Sequence, residues 1–307
     1  MPKNLIAMLG VALISAGGTA YAQTGAAAEA ADLVKQAAKL EFGETWKEAL
    51  TLYRQAVEKN PSQFDAYLGI GRILDVEGQY EEARQNIQKG IDAAPENGLS
   101  PALSTMAVAF AFEGKAAESA RYYQQVFDRQ MKANAPDAAA GTANALARVY
   151  LETGDLANAE KWYRTGYETS QKIEKLTPED KDLWEMRWQH AQARIAARGK
   201  RFDVARKHAA AVKAIVDRGN IDEGQIANYP HLLGYIAFYE GKYDAAIAEL
   251  SKAEQQDPFV SSLLAQAYEL NKNEAQAREL YARILTQRGH SLQAAFAMPL
   301  ARRKVAQ

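Results

Sequence analysis

Tyr67-Leu-Gly-Ile70-Gly71-Arg-Ile-Leu74-Asp-Val-Glu-Gly78-Gln-Tyr80-Glu-Glu-Ala83-Arg-Gln-Asn-Ile87-Gln-Lys-Gly90, with Pro95 following, reads as two helices broken at one point. Apolar and small residues recur at helical spacing on both sides of Gly78. Glycine there ends the first helix, because it takes the left-handed cap conformation without a Cβ penalty. Pro95 stops the second helix. The turn signature Gly78-Gln-Tyr80-Glu-Glu-Ala83 returns as Gly154-Asp-Leu-Ala-Asn-Ala159 and as Gly241-Lys-Tyr243-Asp-Ala-Ala246. The chain is therefore a stack of similar units.

The preceding residues Leu33, Ala37, Leu40, Ala49, Tyr53, Ala56 and Pro61 fall at matching offsets, so Ala49 to Ala83 and Pro61 to Pro95 are both 34-residue steps. This spacing resembles the tetratricopeptide repeat. The resemblance implies antiparallel helix pairs stacked into an all-α solenoid. Small residues at Ala37, Gly71, Ala83 and Gly90 let backbones approach, while Leu74, Tyr80 and Ile87 fill the space around them. A single pair cannot bury its apolar stripe, so neighbours supply the core.

Downstream, the small residue opening each second helix recurs at Ser119, Ala159, Ala205, Ala246 and Ala277. Each is followed four residues later by Tyr123, Tyr163, Ala209, Leu250 or Tyr281. That predicts seven units. The intervals from Ala49 onward are 34, 36, 40, 46, 41 and 31 residues, so longer turns or helix extensions are expected near Ala133–Asp137, Glu174–Asp182 and Arg218–Gly224. The fifth unit is the weakest match, with Gln189 and Ala196 where larger apolar residues are usual. Ser291 to Val305 predicts one more amphipathic helix capping the last unit.

Residues 1–22 are read as a secretory signal preceding a helical repeat domain over 23–307. Lys3 precedes the apolar run Leu5–Ala16, and Ala20-Tyr21-Ala22 places small residues where a signal peptidase reads. The run is about twelve residues against the roughly 20 needed to span a bilayer. Export to the periplasm or exterior is the expectation. The chain has no cysteine, which excludes disulfides, lipid attachment at a cysteine and Cys-ligated metal. Losing the signal would take the formal net charge from −1 to −2, a balance that argues against general nucleic-acid binding. No apolar run after Gln23 is long enough to span a membrane.

No catalytic motif supports an enzyme: His190, His208, His231 and His290 form no H-E-x-x-H, and there is no G-x-S-x-G. Gly69-Ile-Gly71 lacks the third glycine of a dinucleotide loop. No cofactor is expected. A protein or peptide partner is, since extended helical grooves suit peptide segments; nothing in the sequence fixes the oligomeric state.

The resemblance implies that first helices line a concave groove through every fourth residue or so. On that register the third unit presents Pro101, Ser104, Val108 and Phe112, which are largely apolar. The fourth offers Asn144, Arg148 and Glu152; the fifth offers Arg187, His190, Arg194 and Arg198; the sixth offers Asn228, His231, Tyr235 and Tyr239. The seventh offers Phe259, Ser262, Gln266 and Leu270. The expected ligand-binding set is Asn144, Arg148, Arg187, His190, Arg194, Arg198, Asn228, His231 and Tyr235. Arginine forks bind carboxylates through paired hydrogen bonds, so this face would attract an anionic partner, an acidic peptide or an acidic oligosaccharide. Solvated arginines paired with neighbouring acids are the bland alternative. His190 and His231 could instead form a pH-sensitive or metal-binding pair, and Trp184 and Trp188 read as core. From Asp182 on, Trp184, Trp188, His190, Gly234, Asp257-Pro258-Phe259, Tyr268 and Arg302-Arg303-Lys304 resemble exported bacterial tetratricopeptide proteins of unestablished role.

Overall fold

The computed structural model describes residues 16–226 and 228–306, with side-chain environments from 25 onward. Among the described residues there are sixteen helices and no strand. The first hairpin pairs α1 (Ala16–Leu40) with α2 (Trp46–Lys59), and the second pairs α3 (Phe64–Glu77) with α4 (Tyr80–Ala93). Next come α5 (Glu96–Phe112) with α6 (Ala116–Lys132), and α7 (Pro136–Thr153) with α8 (Leu156–Ser170). The fifth hairpin is α9 (Pro178–Arg198) with α10 (Phe202–Val216). A single turn, α11 (Glu223–Ile226), leads into α12 (Asn228–Tyr239) with α13 (Tyr243–Leu250). The seventh is α14 (Pro258–Leu270) with α15 (Glu274–Ile284), and α16 (Leu292–Val305) closes the chain. The secretory-signal reading over 1–22 falls mostly on residues outside those described; its last residues begin α1.

Seven hairpins stack because the recurrent small residues do the same work in each. Ala49, Ala83, Ser119, Ala159, Ala205 and Ala246 have no exposed surface, and Ala277 has almost none. The side chain four residues on is buried every time, from Tyr53 through Ile87 and Leu250 to Tyr281. Burial of a large apolar side chain contributes about 1.5–3 kcal/mol. Gly71 marks the closest approach within a pair: a Cβ there would lie 2.3 Å from Ile87 Cγ1 and 3.1 Å from the Ala83 carbonyl oxygen.

The turn is more regular than the sequence. Gln79, Lys115, Asp155, Arg201, Lys242 and Asn273 each donate a backbone N–H to the carbonyl five residues earlier, at 2.8–2.9 Å. This is the bond that closes a helix through a left-handed residue. Gly78, Gly154 and Gly241 hold that position with φ of 84°, 92° and 79°, whereas Lys200 and Lys272 hold it in the fifth and seventh hairpins at 57° and 62°. The glycine signature fades there although the turn persists.

The structure decides one open expectation and corrects another. Of the two alternatives expected near Ala133–Asp137, a longer turn or a helix extension, the structure has the extension, because α6 runs to Lys132 and α7 starts at Pro136. The extra residues lengthen the helices, to 17 residues in α5 and α6, 18 in α7 and 21 in α9. The helix α16 is not only a cap on the last hairpin. It packs on α14 and α15, and also reaches across the concave side to α5 and α7.

The segment that carries α16 is fastened to the second hairpin. His290 Nε2 lies 2.8 Å from Asp75 Oδ2, with both side chains buried, and the His290 ring stacks on Phe112 at 5.4 Å. Arg288 pairs with Glu77 and lies over the Trp46 ring, while Arg302 donates to Tyr80 Oη at 3.1 Å and to the Val76 carbonyl. Val108 and Phe112, expected to face an open groove, are buried. The chain fills its own groove at the third hairpin.

Candidate functional site

What stays open on the concave side is a cavity of about 360 Å³ between the fourth and sixth hairpins, walled by α7, α9, α12 and the first turn of α16. Spacing along the helices delivers its side chains. Asn144 and Arg148 sit one turn apart on α7; Arg187, His190 and Arg194 follow one stripe of α9; Asn228 and His231 open α12. The start of α9 is fixed by a capping box, in which Thr177 Oγ1 accepts from Asp180 N and Asp180 Oδ2 accepts from Thr177 N, both at 3.1 Å. Gly166 of α8 leaves room for Asn144, since a Cβ there would meet Asn144 Oδ1 at 2.5 Å.

Of the nine residues expected to bind, Asn144, Arg148, Arg187, His190, Arg194, Asn228 and His231 line this cavity. Arg198 and Tyr235 do not. Tyr235 is wholly buried, with its ring 4.8 Å from that of Tyr239. Arg198 is occupied behind the cavity, 3.2 Å from Glu152 and donating to Tyr239 Oη at 2.8 Å. For Arg198 the cause is Glu152, one turn beyond Arg148 on α7, which holds both Arg198 and Arg194. Arg194, only 8% exposed, lies 3.8 Å from the Glu152 carboxylate and donates to Tyr163 Oη at 2.8 Å. Burial pushes the Glu152 carboxyl up, and Arg148, Arg194 and Arg198 pull it back.

Arg148 is placed differently. Its guanidinium lies 4.8 Å from the Phe259 ring centroid, and its Nε and Nη2 are buried with no hydrogen-bond partner among the described residues. Arg187 is exposed and lies over Trp184, a core residue, at 4.9 Å. Trp188 is half-buried and stacks on Tyr167 at 5.6 Å. The His190 and His231 rings are 5.7 Å apart, and His231 also packs edge-on to Phe259 at 6.1 Å. Burial holds both imidazoles below their usual value, His231 at about 3, and the Arg194 charge adds to the effect. Both are neutral at physiological pH. Among the described residues, no group of three or more His, Asp or Glu could hold a metal ion, so the histidine pair has no third ligand.

Tyr163, Met186, Gln225, Asp257, Leu292 and Gln293 also contribute to the wall. Asp257 accepts from Phe259 N at 2.7 Å, which starts α14, and so brings one negative charge to the rim. The Asp257-Pro258 pair carried that capping signal in the sequence. Gln293 carried none, since it arrives only through the docking of α16.

A family profile described as Tetratricopeptide repeat matches residues 38–98, 105–172 and 231–291. By structure, the chain is similar to a tetratricopeptide repeat protein from Parabacteroides merdae, with TM-score 0.57 and 11% identity over 91% of this chain and 99% of that one. It is equally similar, at TM-score 0.57 and 11% identity, to Aspartyl phosphate phosphatase F from Bacillus subtilis, over 90% of this chain and 74% of the other. At such identity the likeness is one of fold. No curated protein matches the sequence.

Proposed function

The chain belongs to the tetratricopeptide repeat family, and on that premise we propose that it is a non-enzymatic scaffold of the bacterial cell envelope. It holds a protein or peptide partner at the cavity between its fourth and sixth hairpins. Such repeats generally mediate protein association through their concave surfaces. Arg148 is the observation that carries the reading: two buried guanidinium nitrogens, Nε and Nη2, that lack partners are costly unless something outside the fold satisfies them. Arg187 adds exposed positive charge at the mouth, and Asn144 and Asn228 add amides. An acidic side chain of the partner suits this set. The leader at 1–22 supports export, periplasmic or secreted, and a mature N-terminus at Gln23.

The test is affinity capture from envelope extract with the mature chain, compared with Arg148→Ala and Arg187→Ala. A specific partner should be retained at low salt, released as salt rises, and lost with either variant. Capture unaffected by both variants would remove the cavity from the interaction.

A second reading has its own support. Because α16 covers the concave face of the third hairpin, the open space is compact rather than a long channel. That favours capture of a small anionic ligand, an acidic peptide or oligosaccharide fragment, by a periplasmic binding component. Isothermal titration against such fragments separates the two: a small acid that binds as tightly as any protein partner supports capture.

A further inference from the structure

We infer that the cavity is built for a compact carboxylic acid that carries its own O–H or N–H donor. Arg148 takes the carboxylate, His190 and His231 accept from the donor, and Gln293 of α16 bounds the space. The inference rests on the second reading above, that the cavity receives a small ligand.

Three observations converge. The first is the unpartnered donors of Arg148, buried against Phe259, which select an acceptor, and a carboxylate matches a guanidinium edge best.

The second is the imidazole pair. His231 is only 7% exposed, and the Nε2 atoms of both His231 and His190 are buried without any hydrogen-bond partner among the described residues. A neutral imidazole offers one N–H and one lone pair. With its proton on Nδ1, each ring offers an acceptor at the unpartnered Nε2, beside a donor-rich arginine. A plain anion would satisfy Arg148 and set its oxygens against two lone pairs. A hydroxy or amino acid satisfies both kinds of group.

The third is the size of the site and its far wall. At about 360 Å³ the cavity is at the small end for ligand sites. Leu292 and Gln293 complete it from the first turn of α16, where Ser291 Oγ accepts from Ala294 N at 3.2 Å and His290 anchors to Asp75. The charged groups facing the space are Arg148, Arg187, Arg194 and Asp257, with Glu152 beneath. Their sum is positive, and Asp257 leaves room for an ammonium on the ligand.

Succinate, malate and aspartate share two carboxylates and differ in having no donor, a hydroxyl or an ammonium at the adjoining carbon. We would titrate each, and inorganic phosphate, into the full chain by isothermal calorimetry. Malate or aspartate should bind at least about tenfold more tightly than succinate, the scale of one added hydrogen bond to a buried partner. His190→Leu should reduce that preference, and Arg148→Ala should abolish binding of all three. Equal affinity for the three acids, or phosphate as tight as malate, would overturn the donor-bearing acid and leave small-anion capture standing. No binding by any of the four would overturn both. The wild-type comparison alone decides the matter if a histidine variant does not fold.

Discussion

His231 gives the sharpest quantitative test of the cavity. Its imidazole is buried beside Arg148 and Arg194, which holds its pKa at about 3 against 6.5 in the unfolded chain. A base with a depressed folded value binds fewer protons when folded. Between those two values the unfolded state holds the extra proton, so stability is full above the unfolded pKa and falls as pH drops through 6.5. At pH 5 the unfolded ring is almost fully charged and the folded ring almost uncharged. Linkage then gives a loss of about 2 kcal/mol from this one group between pH 8 and pH 5. Glu152 and Asp75, whose pKa values burial raises, act with the opposite sign, so a variant must isolate the term. His231→Leu is suited to this because Nε2 has no partner to lose. Urea denaturation followed by circular dichroism, at both pH values, should show wild type losing about 2 kcal/mol more than His231→Leu on acidification. Parallel behaviour of the two proteins would mean that His231 titrates freely, and the closed histidine wall would be wrong. A reversed difference would mean that the ring is charged and paired in the fold.

Other perturbations follow from the packing. Gly71→Leu should destabilise by about 1–3 kcal/mol through overpacking against Ile87, as measured by urea melts, and a neutral result would misplace the second hairpin. Arg194→Ala should cost about 3 kcal/mol because it breaks a buried ion pair with Glu152, whereas Arg148→Ala, which breaks no ion pair although its charge also steadies Glu152, should cost clearly less and lose ligand. Equal stability of the two variants would contradict the division between floor and cavity. His290→Ala leaves Asp75 buried without its hydrogen bond, worth about 1–3 kcal/mol locally, so hydrogen exchange should quicken across 292–305. Unchanged protection there would mean that the Asp75–His290 pair does not hold α16 in place.

The hairpins were legible because their cause is local. A small residue opening each second helix, a large one four residues later and a tight turn before it depend on contacts within some forty residues, and Ala83, Ser119 and Ala277 announce them alike. Where glycine gives way to Lys200 or Lys272 the turn signal weakens, since backbone hydrogen bonds hold the same shape without it. The helical register also put Asn144, Arg148, Arg187, His190 and His231 on one side.

Which of those side chains faces a cavity and which is consumed in the floor was not written in the register. Arg194, Arg198 and Arg148 occupy equivalent stripe positions, yet Glu152 engages two of them and Phe259 carries the third. That choice depends on the superhelical twist, which sets Arg198 against Glu152, 46 residues away, and Phe259 of α14 against Arg148 of α7. The course of α16 is the clearest instance. Periodicity alone predicted a helix over 291–305, but the buried Asp75 waiting for His290 more than two hundred residues away turns that helix inward. The sequence by itself determined a seven-hairpin solenoid and the stripes of its first helices, because helix formation and nearest-neighbour packing are short-range. That the groove is part-filled by its own C-terminus, with a cavity left between the fourth and sixth hairpins, follows from long-range closure of the superhelix and so shows only in three dimensions.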